Sequence, residues 1–291
     1  MPPSPPLTNT STASLLSGHK MPLLGYGVYK TPAQDTAVAV HHALSHSYRH
    51  IDCAVAYANE AAAAEALHNS GIPRSQLFFT SKIPPDKTSY AGARQSVAET
   101  LERTGLGYVD LYLVHAPYGG REGRLGAWAG LVEAVRAGQV RSIGVSNYGV
   151  RHLEELEAYM REREAAEGSG AGGVLSVNQV ELHPWLGRRE IVEWCQRRGV
   201  VVQAYAPLVR ATRNEEPVLV RLAERYGKTP SQVLVRWSLQ KGFVPLPKSV
   251  NKERIEENAG VFGWEISDED METLELDCYE PCAWDPTVIT D

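Results

Sequence analysis

Four side chains with complementary acid–base character stand at or just beyond the ends of consecutive apolar segments: Asp52 with Tyr57, then Lys82, then His115. A carboxylate, a phenol, an ammonium and an imidazole together make a proton-transfer set. A free tyrosine titrates at about 10 and gives up its proton reluctantly at neutral pH. A nearby ammonium favours the phenolate and lowers that value, and a carboxylate can hold the ammonium in place. Such a set suits a reaction that builds negative charge on an oxygen and then protonates it. Singly, each residue has a structural explanation. Asp52 could cap a helix, Lys82 could be a solvated loop cation, and His115 could be a satisfied core histidine. Their common placement at segment ends is what makes them a candidate site.

A second cluster follows the last apolar segment. Lys248, Ser249, Asn251 and Arg254 gather where a helical pattern begins, and a lysine, a hydroxyl and a guanidinium near a helix start suit a dianionic phosphate. Ser146 with Asn147, Gln179 and Tyr205 end three further segments. One apparent nucleotide motif is rejected. Gly168-Ser-Gly-Ala-Gly-Gly173 matches G-x-G-x-x-G literally, yet it follows a charged helical stretch and leads into an apolar one. The dinucleotide fingerprint needs the reverse order, with a helix N-terminus meeting the pyrophosphate. A surface loop is expected there.

The elements that must position these residues are legible as an alternation. Apolar, β-branched segments at 24–28, 48–52, 77–81, 109–115, 140–146, 175–181, 200–205 and 243–247 predict strands. Helical patterns fall between or after them at 34–45, 60–69, 90–103, 126–136, 150–163, 188–198, 217–226 with 231–240, and 252–261. Several strands are almost continuously apolar, as in a parallel sheet covered by helices. Eight β-then-α units in this length match a single-domain α/β (β/α)8 TIM barrel, although alternation alone leaves a doubly wound sheet open. Residues 1–12 read as a disordered Pro/Ser/Thr tail, and 13–276 as the barrel with an N-terminal hairpin and a C-terminal extra helix. Residues 277–291 read as a loop near the substrate opening.

Composition sets outer bounds. The 291 residues need no disulfide staple for a sizeable core, and four scattered cysteines form no disulfide framework, which points to a reducing compartment. There are 29 basic against 35 acidic residues, net −6, which argues against a nucleic-acid or membrane-surface binder. The charge is local, however. Residues 265–280 hold eight acids and no base, leaving 27 acidic against 29 basic residues elsewhere. The −6 therefore does not oppose an anionic ligand at a distant rim. No apolar run of membrane-spanning length and no basic leader is present, so a cytoplasmic location is expected. No metal site is expected: His41-His42 lacks a third ligand, and Cys278 with Cys282 is a single pair.

Several stretches, in order along the chain, resemble the aldo-keto reductase family. They are Gly25-Tyr-Gly-Val-Tyr-Lys30, His50-Ile-Asp-Cys-Ala-Val-Ala-Tyr57 with Asn59-Glu60, Thr80-Ser-Lys82, Asp110-Leu-Tyr-Leu-Val-His115, Ile143-Gly-Val-Ser-Asn147, Asn178-Gln-Val-Glu-Leu-His-Pro184, and Pro247 through Asn258. The resemblance implies the same barrel and NADPH/NADP+-dependent reduction of a small-molecule carbonyl. It makes Tyr57 the general acid, Lys82 its tuner, Asp52 the partner of the lysine, and His115 the group that orients the carbonyl oxygen. It places cofactor on Gly27, Val28, Tyr29, Asp52, Ser146, Asn147, Gln179, Tyr205, Pro207, Leu208, Lys248, Ser249, Val250, Asn251, Arg254, Glu257 and Asn258. Substrate contacts are expected from Tyr29, Tyr57, His115, Ala116, Trp185 and Trp284. Ala116 stands where many members carry tryptophan. Ala206 replaces a frequent serine, and Arg210 stands where a small residue is common. The resemblance leans towards a monomer without nucleic-acid or membrane partners. Two other functions are weighed: a redox-sensing auxiliary subunit of the same fold, and a barrel hydrolase or aldolase using Lys82 as a Schiff-base amine.

Overall fold

The structure, a computed structural model, describes residues 6–290. Of the expected tail, residues 1–5 lie outside these. Thr8 to Ser11 form a turn in which Ser11 N donates to Thr8 O at 3.0 Å. The hairpin then begins at once: β1 (Thr12–Ser14) pairs antiparallel with β2 (Lys20–Pro22), with Ala13 opposite Met21.

Eight strands form one parallel sheet in chain order: β3 (Gly25–Gly27), β4 (His50–Asp52), β5 (Phe78–Ile83), β6 (Val109–Val114), β7 (Val140–Ser146), β8 (Leu175–Glu181), β9 (Val201–Tyr205) and β10 (Val244–Pro245). Each strand neighbours the next, which is the order of a barrel and excludes the doubly wound alternative. The ring closes just past the two edge strands, where Gly27 N donates to Pro247 O at 3.0 Å.

The helices that cover it are α1 (Ala33–Ser45), α2 (Glu60–Asn69), α3 (Tyr90–Thr104), α4 (Gly120–Arg136), α5 (Val150–Glu167), α6 (Arg189–Arg197), α7 (Pro217–Tyr226), α8 (Pro230–Gln240) and α9 (Lys252–Ala259), with a short α10 (Asp268–Glu272) after them. No helix among the described residues is long and apolar enough to cross a membrane.

α4 begins six residues earlier than the sequence pattern predicts. Its glycines form a contact face against α3 and the residues just before it. A Cβ at Gly123 would lie 2.7 Å from Thr88 O, and one at Gly130 would lie 2.8 Å from Tyr90 O. The rejected glycine motif is a loop after α5. Glu164 accepts from Gly170 N at 2.9 Å and Gly172 N at 3.1 Å.

Side chains two apart on a strand share a face. Phe78, Leu111, Leu113, Val177 and Val244 form a buried cluster with Leu15 and Met21 of the hairpin. The hairpin thus plugs the end of the barrel at which the strands begin. Continuing the same parity toward the C-terminal strand ends brings Lys82 after Phe78, His115 after Leu113, Gln179 after Val177 and Tyr205 after Val201. The polar site is the next layer above an apolar one.

Candidate active site

The acid–base set converges at that rim. Asp52 ends β4, Tyr57 closes the 3-10 turn Val55–Tyr57, Lys82 lies near the end of β5, and His115 follows β6. Lys82 is completely enclosed. Its Nζ donates to Asp52 Oδ1 at 2.7 Å, to Cys53 O at 2.8 Å and to the Tyr57 hydroxyl at 3.4 Å. The carboxylate is shared, because Gln179 Nε2 donates to Asp52 Oδ2 at 2.8 Å and to Gln203 Oε1 at 2.9 Å. The Tyr57 ring stands 5.7 Å from the His115 ring and 5.0 Å from Tyr29.

Burial decides the protonation states. It pushes the Tyr57 phenol well above the ordinary tyrosine value, and the Asp52 carboxylate adds to the shift. A neighbouring ammonium alone would lower that value. Instead, Asp52 lies beside the ammonium and offsets its charge, and enclosure dominates. Burial also lowers the His115 imidazole to about 3, with Lys82 contributing. At neutral pH the site therefore holds a protonated phenol and a neutral imidazole.

The facing wall is built from β7, β8 and β9. Ser146 Oγ donates to Gln179 O at 2.8 Å, Asn147 Nδ2 to His115 O at 3.0 Å, and Tyr205 OH to Asn147 Oδ1 at 2.8 Å. Asn147 adopts a left-handed backbone, φ 60°, a conformation asparagine tolerates better than most residues. Both N–H groups of Gln179 are directed to Asp52 and Gln203, so its carbonyl oxygen is the group left to accept from a ligand amide.

These residues line a cavity of about 1030 Å³ that runs from Tyr57 and His115 to Lys248, Arg254 and Asn258. Fifteen expected cofactor residues, Asp52 as a sixteenth, and the expected substrate residues Tyr57, His115 and Trp284 are brought together in its lining. Three are not. Val28 is fully buried and takes part through its backbone, donating to Asp52 O at 3.1 Å. Ala116 is fully buried behind His115. Trp185 is buried outside the lining and accepts from Glu280 N at 2.9 Å through its carbonyl oxygen. Its place at an opening of the barrel does not survive, because the C-terminal tail packs against it.

The far end of the cavity gathers cationic and amide side chains around the start of α9. Asn251 caps α9, its Oδ1 accepting from Arg254 N at 2.8 Å. No carboxylate among the described residues pairs with Lys248 or Arg254, and burial lowers the Lys248 pKa. Asn258 is buried and its Oδ1 has no partner. Glu257 is half engaged, accepting from Thr229 Oγ1 at 2.7 Å.

Sequence reading missed Lys30, Pro85, Ala206, Arg210, Ala211, Asn214, Thr229 and Ala283, which also line the cavity. One signal was available: Arg210 was noticed as unusual. The segment carrying it has left-handed backbone at Ala206, Val209, Arg210 and Ala211, which no sequence pattern announces. The structure also brings Cys282 beside Glu181 and His183. That grouping is hidden in sequence because the residues are a hundred positions apart.

The chain is similar over most of its length to known proteins. The model of the aldo/keto reductase family matches residues 23–276. An uncharacterized oxidoreductase of Saccharomyces cerevisiae is 36% identical over 281 residues, covering 94% of this chain and 96% of the relative. A glyoxal reductase of Bacillus subtilis is 36% identical over 271 residues, covering 93% and 94%. The crystal structure of an aldo/keto reductase from Brucella melitensis superposes with a TM-score of 0.83 at 31% identity, covering 91% of this chain and 98% of that one.

Proposed function

This chain belongs to the aldo/keto reductase family, and we propose that it reduces aldehydes or ketones to alcohols with NADPH, using Tyr57 as the proton donor. The observation that carries this reading is the enclosed Lys82, bonded to Asp52 and aimed at the Tyr57 hydroxyl. When bound, the reduced nicotinamide supplies hydride.

This chain's residues supply the rest. The neutral His115 imidazole can hydrogen-bond the carbonyl oxygen and hold it toward Tyr57. As negative charge develops on that oxygen, the phenol gives it a proton, and the Lys82 ammonium stabilises the phenolate left behind. Asp52 keeps the ammonium in place. Gln179, Ser146 and Asn147 would hold the carboxamide end of the cofactor, and Tyr205 would lie against its ring. Lys248, Ser249, Asn251 and Arg254 would hold a 2′-phosphate, with Glu257 and Asn258 at the adenine.

The site is complete within one chain, which supports a monomeric enzyme acting on a small carbonyl. The four free cysteines suit a reducing, cytoplasmic setting. The likeness to a glyoxal reductase makes small dicarbonyls the first substrates to try. The test is loss of reduced-nicotinamide absorbance with NADPH and a panel of carbonyls. Turnover is expected; tight NADPH binding without turnover on any carbonyl would instead support the redox-sensor reading.

A further inference from the structure

Trp284 stands over the reacting end of the cavity, its ring 6.0 Å from His115 and 5.8 Å from Tyr118. It belongs to the stretch after α10, whose regular structure among the described residues is the single 3-10 turn Pro286–Val288, so side chains of the barrel must hold it. On its N-terminal side, Cys282 N donates to Glu181 Oε1 at 2.6 Å and Ala283 N donates to Glu181 Oε2 at 3.1 Å. On its C-terminal side, Asp285 meets Arg188 with both oxygens, at 2.9 Å and 3.0 Å. Arg188 Nη1 also donates to Tyr279 OH at 2.8 Å and to Thr287 Oγ1 at 2.9 Å.

The two anchors are themselves joined, since Arg188 Nε donates to Glu181 O at 3.3 Å. Glu181 has no exposed side-chain surface and Arg188 has 2%. His183 Nε2 lies 2.9 Å from Glu181 Oε1, the oxygen that also accepts from Cys282 N. Arg188 sits in left-handed backbone, φ 48°, a strained conformation for arginine that its many contacts maintain. Hydrogen bonding to Arg188 and Thr287 holds the Asp285 carboxyl down at about 2, so the ion pair persists throughout the pH range of ordinary assays.

We propose that Glu181 and Arg188 are positioning residues that clamp the chain on either side of Trp284, fixing it as a wall that excludes bulky carbonyls. This rests on the reductase reading above. Neither residue lines the cavity, so each acts on selectivity through the 282–285 segment that carries Trp284. A buried, bidentate carboxylate–guanidinium contact and two backbone bonds to a second buried carboxylate leave the tryptophan little freedom. An indole fixed in this way rejects a large substituent that a mobile one would accommodate.

The experiment compares Trp284→Ala, Asp285→Asn and Arg188→Gln. It measures kcat/KM for a two-carbon dialdehyde and for a bulky para-substituted benzaldehyde, and hydrogen exchange of the 282–284 amides. All three variants are expected to raise the bulky-to-small ratio about tenfold, the scale of a hydrophobic pocket's discrimination. Asp285→Asn and Arg188→Gln should leave NADPH affinity and dialdehyde turnover near wild type while speeding exchange at 282–284. The clamp is overturned if Trp284→Ala leaves the ratio unchanged. It is equally overturned if that variant shifts the ratio while the other two keep wild-type ratio and exchange. If Arg188→Gln does not fold, Asp285→Asn decides alone. A wild-type protein that turns over neither carbonyl would defeat the reductase reading instead, and the exchange rates would still report on the clamp.

Discussion

Lys82 Nζ lies 2.7 Å from Asp52 Oδ1 in a site where the lysine has no exposed surface. The two residues are thirty positions apart and come from adjacent strands. With the Cys53 carbonyl also accepting at 2.8 Å, the third direction of the ammonium is toward the Tyr57 hydroxyl at 3.4 Å. A cation buried this completely is tolerated only because the carboxylate and the Cys53 carbonyl compensate it.

Asp52→Asn should therefore cost stability as well as activity. Removing one partner of a buried pair leaves an uncompensated charge, worth about 3–5 kcal/mol. The midpoint of chemical denaturation should fall accordingly with the slope unchanged. A variant as stable as wild type would show that the ammonium has another anion.

Tyr57→Phe should reduce carbonyl turnover by about 10²–10⁴-fold, the usual contribution of a positioned general acid. NADPH affinity, read by fluorescence titration, should hardly move, because the lost hydroxyl faces the carbonyl end of the cavity. Retention of most of the rate would remove Tyr57 from its assigned role.

Arg254→Ala should weaken NADPH about tenfold or more and NADH far less. Arg254 has no carboxylate partner among the described residues, so its guanidinium is available to a phosphate. Equal losses for both nucleotides in binding titrations would dismiss the 2′-phosphate assignment.

Two of the four buried histidines give a pH signature. Burial lowers His115 to about 3 and His50 to about 4, from an ordinary value of 6.5. Between those values and 6.5 the unfolded chain binds more protons than the folded one, so stability rises with pH in that window. It is fully present above about 6.5 and is lost as pH falls toward 3. Denaturation followed from pH 7 to pH 4 should show the decline, and His115→Gln should flatten it. Reduction should also stay nearly independent of pH through neutrality, because the raised Tyr57 phenol remains protonated there. The oxidative direction, which needs the phenolate, should accelerate as pH rises.

The sequence by itself determined the alternation of strands and helices, whereas the strand order that makes it a barrel came from the tertiary structure. β7 and β8 span the same residues in sequence and structure because long apolar runs are local signals. β10, expected over five residues, pairs over only two, since its pairing is set by closure of the ring rather than by local pattern. The strand-end side chains were also legible, because parity along a strand dictates which residues face inward.

Tertiary structure decided three further things. The Tyr57 phenol is shifted upward, because burial is a property of the assembled site and outweighs a neighbouring charge. Trp185 is covered and Trp284 exposed to the cavity, although both read alike as aromatic residues near an opening. The third is the clamp, in which Glu181 meets Cys282 and Arg188 meets Asp285 across about a hundred residues. An irregular tail has no period for a sequence to carry. Its position follows only from which buried polar groups must find partners once the barrel has formed.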